Sequence, residues 1–285
     1  MARSHAAPAK LNLYLHVVGR RADGYHLLDS LVAFADIGDA IVAAPATSLS
    51  LEIAGPFAVA LAGDPHANLV WRAAELLAQR LGRAPNAALT LIKNLPVASG
   101  MGGGSSDAAA TLRALTDLWQ ARVPQDVLDG IADALGADVK VCLRPRASWL
   151  GGIGERVEAA PSLPPVAVVL ANPGVALPTA DVFRRRAGPF SHPARFAASP
   201  ADPPALAALL AERRNDLTDA ATALVPAIGD VLALLAATPG ALVARMSGSG
   251  ATCFALFAEA HDANQAAARI AAVRPHWWVR AGALA

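Results

Sequence analysis

The stretch "PVASGMGGGSSDAAATLRAL" at residues 96–115 constrains this chain more than any other. Four of the five residues from Gly100 to Gly104 are glycine. Upstream, "AALTLIKNLP" reads as a strand ended by Pro96; downstream, an Ala- and Leu-rich run predicts a helix near 106–120. A glycine run pinned between a strand and a helix is not a flexible linker. Without a Cβ the backbone can come close to a ligand and take positive φ. The helix start adds unpaired N–H groups and the positive end of a dipole, about half a charge. Together these make an anion site, and phosphate is its usual occupant. Ser105, Ser106 and Asp107 stand where helix N-caps are expected.

The common phosphate loops do not fit. A Walker-type loop needs a Gly-Lys pair, and none of the three lysines follows a glycine. A dinucleotide fingerprint starting at Gly100 needs glycine where Ser105 stands. "RRADGYH" is not the catalytic loop of a protein kinase.

Composition narrows the rest. The 285 residues suit one large or two modest domains, and a 54% hydrophobic content supports a sizeable core. A net charge of +1 and no basic–aromatic stripe argue against nucleic acid as a partner. Cys142 and Cys253 both sit in apolar runs, which predicts buried thiols and no disulfide framework. No 18-residue apolar span occurs, so no membrane partner and a soluble, cytoplasmic protein are expected. Of 24 basic residues only Lys10, Lys93 and Lys140 are lysine. Lysine suits a compact charge at a phosphate or an acid/base site. The run Arg184, Arg185 and Arg186 reads as a solvated face.

Along the chain, "KLNLYLHVVG" alternates as a strand, and the polar loop "RRADGYH" follows. "LLDSLVAFADIGDAIVAAP" and "LSLEIAG" read as further strands with turns between. "NLVWRAAELLAQRLG" predicts an amphipathic helix ending at Gly82, and "PQDVLDGIADALG" another. Three prolines in "PSLPP" at 161–165 mark a domain linker. Beyond it come a strand ("VAVVLANPG"), helices in "ALAALLAERRNDLT" and "AIGDVLALLAATPG", and two strands around a tight loop in "ALVARMSGSGATCFALFAEA". A helix ("DANQAAARIAAV") and a final strand ("HWWVRAGALA") complete the pattern. Strands and helices mix without regular alternation, which predicts two α+β domains, 1–160 and 161–285.

Three segments together resemble the GHMP kinases, a superfamily of small-molecule kinases. Pro96, Val97, Ala98, Ser99, Gly100, Met101, Gly102, Gly103, Gly104, Ser105 and Ser106 match its second motif. "MSGSGATCFALF" at 246–257 matches the third. "PAKLNLYLHVVGRRADGYHLLDSL" at 8–31 matches the first motif of one branch, which serves the non-mevalonate isoprenoid pathway. The resemblance implies a two-domain α+β fold, with an N-terminal domain like ribosomal protein S5 and a ferredoxin-like C-terminal domain. It implies ATP as phosphoryl donor, Mg2+, a cytidine diphosphate sugar alcohol as acceptor, and a monomer or weak homodimer.

Residue roles follow from the same resemblance. Asp138, in "LGADVKVCL", corresponds to the base that takes the acceptor hydroxyl's proton, and Lys10 to its cationic partner. Asn12 faces the same side of a strand as Lys10 and resembles a substrate-binding residue. Tyr25 and His26 match the cytosine site, Phe183 the ring on the other side of the base, and Thr179 a contact to the erythritol. Ser247, Gly248, Ser249 and Gly250 would steady the substrate, while Asn68 and Lys93 correspond to positions near adenine. Lys140 and Val141 depart from the family, which has proline and an aromatic after "GADV". No residue is identified as a magnesium ligand. Two other readings stay open: a homoserine- or mevalonate-type kinase, against which "DGYH" argues, and a non-catalytic nucleotide-binding protein, against which Lys10 and Asp138 argue.

Overall fold

The computed structural model describes residues 3–284. The backbone groups into two compact units. The first holds the chain up to Ala9, Gly38–Val97 and Gly102–Pro145; the second holds Lys10–Ile37, Ala98–Met101 and the chain from Arg146 onward. Strands β1 (Arg3–Arg20) and β2 (His26–Ala44) each have residues in both.

In the first unit these strands are joined by β3 (Ser50–Ala54), α1 (Leu69–Arg80), β4 (Ala88–Ile92), α2 (Gly103–Leu118), α3 (Gln125–Leu135) and the short α4 (Val139–Leu143). Strand β4 is central: it runs antiparallel to β2, with Ala40 opposite Ile92, and parallel to β3, with Ser50 opposite Ala88. Helix α1 buries Val70, Ala73, Ala74, Leu77 and Ala78, the i, i+3, i+4 stripe its sequence foretold. That stripe packs on α2, whose buried face is Ala108, Ala109, Ala110, Leu112, Ala114 and Leu115. Alanine on that face lets helix axes approach closely.

The second unit adds β5 (Ser148–Gly152), β6 (Arg156–Ala159), β7 (Val166–Asn172), α5 (Thr179–Arg185), α6 (Pro203–Ala211), α7 (Thr218–Leu224), α8 (Ala227–Ala236), β8 (Ala241–Met246), β9 (Cys253–Phe257), α9 (Ala260–Val273) and β10 (Trp278–Leu284). Strands β7 to β10 form an antiparallel sheet in the order β10-β7-β9-β8. That order, with helices between β7 and β8 and between β9 and β10, is the ferredoxin-like arrangement. β7 is buried along its whole length, which is why "VAVVLA" is an unbroken apolar run. Its core joins Val169, Phe257, Met246, Ile228, Val231 and Ile270.

Residues 26–44 form one strand of 19 residues. Gly38 within it serves a close approach: a Cβ there would run into the backbone of Ala7 and Pro8 on β1. The expected start of the helix after the glycine run is corrected. Helix α2 begins at Gly103, so Gly103, Gly104 and Ser105 belong to its first turn. Its N-cap is Gly102, in the left-handed region at φ 61°, and not Ser105, Ser106 or Asp107. Helices α5 and α7, of seven residues each, escaped sequence reading because two turns are too few for periodicity to register.

Candidate active site

In the first unit, the helix start that the glycine run predicted is present. Ser106 N–H donates to Gly102 O at 2.9 Å, the first turn's bond, so the amides of Gly103, Gly104 and Ser105 have no partner inside the helix. The Ser106 hydroxyl is turned away from solvent and donates to Pro8 O at 2.8 Å. Lys93 is buried directly beneath this turn, and a Cβ on Gly103 would lie 3.0 Å from its Nζ. The ammonium donates to Asp39 Oδ2 at 2.5 Å and to Asp107 Oδ2 at 2.8 Å. Asn68 is the N-cap of α1, its Oδ1 accepting from Val70 N–H at 2.9 Å.

Asp138 is also in the first unit, at the N-cap position of α4, two residues after Gly136. Its carboxylate does not cap that helix. Lys140, one of the departures from the family, pairs with Asp133 of α3 at 3.0 Å.

In the second unit the start of the glycine run meets the small-residue loop between β8 and β9. Thr252 N–H donates to Ser99 O at 3.1 Å, and the buried Ser247 hydroxyl donates to Gly100 O at 2.9 Å. Lys10 N–H donates to Met101 O at 2.9 Å, and Asn12 N–H donates to Ser247 Oγ at 3.1 Å. Gly100, at φ 76°, could carry no side chain without striking Ser247 O. A Cβ on Gly248, at φ 55°, would lie 2.8 Å from Gly100 O. The two loops therefore pack backbone to backbone, which accounts for glycine at both places. Asn215 braces the second loop: its Nδ2 donates to Met246 O and Gly248 O, each at 2.8 Å, and its Oδ1 accepts from Leu217 N–H. Sequence reading passed over Asn215, because an asparagine between two helices looks like any turn residue.

The side chains matched to the acceptor lie in this unit too. Lys10 is buried, and Asn12 Nδ2 donates to Ser30 Oγ at 2.9 Å. Thr179 and Ser249 share a hydroxyl–hydroxyl bond of 2.8 Å. Phe183 stacks on the His26 imidazole, with centroids 5.2 Å apart and planes at 25°. The ring facing Phe183 here is thus His26, while Tyr25 lies next to His26 in the chain. Tyr25 is 60% exposed at the tip of the loop, and a base between His26 and Phe183 requires those rings to part. Burial, then the charges of Arg20 and Arg186, hold the His26 pKa below its ordinary value, so the ring is neutral at pH 7. A neutral imidazole offers one donor and one acceptor.

These loops and the ferredoxin-like sheet define a kinase of the GHMP class. The family model for the GHMP kinases N terminal domain matches residues 68–144, and that for the GHMP kinases C terminal matches 199–276. Curated relatives narrow the class. A 4-diphosphocytidyl-2-C-methyl-D-erythritol kinase of Paramagnetospirillum magneticum is 52% identical over 96% of this chain and 95% of its own. The kinase of that name from Rhodospirillum rubrum is 50% identical over 98% of this chain and 91% of its own. A crystal structure of a 4-(cytidine 5'-diphospho)-2C-methyl-D-erythritol kinase superposes with a TM-score of 0.78 at 36% identity, covering 100% of this chain and 99% of that one. Homoserine kinase from Cytophaga hutchinsonii, at 16% identity, shares the fold with a TM-score of 0.72 over 100% of this chain and 94% of its own. The chain belongs to the 4-diphosphocytidyl-2-C-methyl-D-erythritol kinase family.

Proposed function

We propose that this chain transfers the γ-phosphoryl of ATP to the 2-hydroxyl of 4-diphosphocytidyl-2-C-methyl-D-erythritol, giving the 2-phosphate and ADP. The observation that carries the reading is the first turn of α2: amides of Gly103, Gly104 and Ser105 with no partner inside the helix, at the positive end of its dipole. The triphosphate lies along Pro96–Ser106, where Pro96, Val97, Ala98, Ser99, Gly100, Met101 and Gly102 shape the approach. Catalysis is then mostly positioning and charge neutralisation. Asp138 accepts the hydroxyl proton. Lys10 keeps that carboxylate ionised and steadies charge on the phosphoryl group.

His26, Phe183 and Tyr25 receive the cytosine; Asn12, Thr179 and the Ser247–Gly250 loop receive the rest of the acceptor. Asn68 and Lys93 are assigned to the ATP side by the family resemblance alone. Magnesium reaches the site on the ATP phosphates and neutralises their charge. Among the described residues no three His, Cys, Asp or Glu are placed to hold a metal without it. The linker at 161–165, which the sequence reads as dividing domains 1–160 and 161–285, lies between the segments matched by the two family models, whereas the compact backbone units group Lys10–Ile37 and residues 146–160 with the chain beyond it. The enzyme works in the cytoplasm; among the described residues no helix is long and apolar enough to cross a membrane.

ADP release with purified protein tests this reading. Turnover is expected with the cytidine acceptor and not with homoserine, mevalonate or galactose. Faster release with homoserine or mevalonate would reassign the acceptor, and none with any of them would favour a protein that binds nucleotide without catalysis.

A further inference from the structure

Beneath the phosphate loop lies a buried charged cluster, of which only Lys93 has been given a part in binding ATP. Asp39 on β2, Lys93 just after β4 and Asp107 on α2 are each about 3% exposed or less as side chains. Lys93 Nζ bridges the two carboxylates at 2.5 and 2.8 Å. Asp39 does more than pair: its Oδ1 accepts from Asn94 N–H at 2.6 Å and Leu95 N–H at 2.8 Å. It thereby fixes the chain that leads from β4 into Pro96 and the glycine run. Asp107 sits one turn into α2, and Lys93 Nζ lies at the spot a Cβ on Gly103 would crowd. One ammonium faces two carboxylates that lie within hydrogen-bonding reach of each other, and Asp107 Oδ1 meets no donor. A buried group of this kind is stable only when nearly all its charge and hydrogen bonds are matched, so it holds one geometry strongly.

We infer that Asp39, Lys93 and Asp107 form a buried strut that sets the position of the first turn of α2, with Asp107 a positioning residue for the ATP phosphates. The inference rests on the reading that those phosphates sit at that turn. With one proton shared between the carboxylates the strut is neutral. Without it, an unbalanced negative charge lies under a site that must accept a triphosphate. Burial, in the company of Asp39, raises the Asp107 pKa to about 7 against the pull of Lys93, which places that change near neutral pH.

The charged groups facing Asp107 are Lys93 and Asp39. The helices packed on α2 bring Val70, Ala73, Ala74 and Leu77 from α1, Ile131 and Leu135 from α3, and Val139 and Cys142 from α4. Of these only Cys142 titrates, and it lies beside Arg113, further along α2, whose Nη1 donates to Cys142 O at 2.9 Å.

The test compares the KM for ATP, the KM for the acceptor and kcat in the wild type, Asp107→Ala, Asp107→Asn and Gly104→Val. Asparagine keeps an acceptor for Lys93 and a donor for Asp39, as the protonated acid does. Asp107→Ala is expected to raise the KM for ATP about tenfold, the size of one lost buried partner, with the acceptor KM unchanged. Asp107→Asn should stay near wild type at pH 6. From pH 6 to 8 the wild-type KM for ATP should climb while that of Asp107→Asn stays flat. An unchanged KM in Asp107→Ala would overturn the inference; should that variant not fold, parallel pH profiles for the wild type and Asp107→Asn would do so. Gly104→Val probes the underlying reading separately. Its Cβ meets only Leu69 Cδ1, at 3.5 Å, so wild-type ATP affinity there would remove the phosphates from this turn.

Discussion

The Ser247 hydroxyl joins two glycine loops that are nearly 150 residues apart: it donates to Gly100 O at 2.9 Å and accepts from Asn12 N–H at 3.1 Å. Both partners are backbone groups, and Ser247 is fully buried. Ser247→Ala therefore strands a donor and an acceptor where water does not reach. A loss of about 1–3 kcal/mol in unfolding free energy is expected. Urea titration of the two proteins measures it, and coincident curves would mean that water replaces the hydroxyl.

Asp138→Asn should leave the affinities for ATP and the acceptor nearly intact and reduce kcat. A general base contributes about 10²–10⁴-fold, and that range is the expected loss. An unchanged kcat would remove Asp138 from the proton transfer.

The helix start in the glycine run was legible in the sequence because its cause is local: Gly102 answers to its own φ, and a strand and a helix flank the run. The buried strut was not. Lys93 lies 54 residues from Asp39 and 14 from Asp107, and nothing in "IKNLP" or "FADIGDA" says that these side chains meet. Burial also changes the choice of probe. Sequence alone makes Gly103 the natural glycine to replace, yet its missing side chain leaves room for Lys93, so Gly104 is the cleaner position. The ring facing Phe183 was equally hidden. "DGYH" puts Tyr25 and His26 side by side, and nothing in it says which ring meets Phe183 of α5.

The strut also governs stability against pH. The Asp107 carboxyl titrates near 7 in the folded chain, above its ordinary 3.8, so between those values the folded protein holds a proton that the unfolded chain has released. Stability from this group therefore falls as pH rises through that window, and the fall stops above about 7. Asparagine has no such proton. The stability of Asp107→Asn relative to wild type should rise from pH 4 to pH 7 and then level, as read from urea midpoints at each pH. A difference that does not vary with pH would mean that Asp107 is ionised throughout.

On the proposed reading, acceptor choice depends on Tyr25, His26 and Phe183. His26 and Phe183 stack on each other, and a cytosine lying between them would replace that contact with two of its own. Phe183→Ala removes one face. It should weaken the cytidine acceptor by about 1–3 kcal/mol, the usual yield of stacking one base, and leave ATP affinity unchanged. Tyr25→Ala should act in the same direction, since a ring 60% exposed has surface to give to a ligand. His26 sets the edge. Held neutral by burial and by Arg20 and Arg186, its ring matches a base that presents one donor and one acceptor. Uracil exchanges one for the other, so the uridine analogue should turn over poorly, as sites built on hydrogen bonds reject ligands that leave them unpaired. Lowering the pH past the depressed His26 pKa adds a second donor to the ring and should raise the acceptor KM, while the KM for ATP does not follow it. Equal kcat/KM for the cytidine and uridine compounds, or an acceptor KM indifferent to Phe183→Ala, would place the base elsewhere.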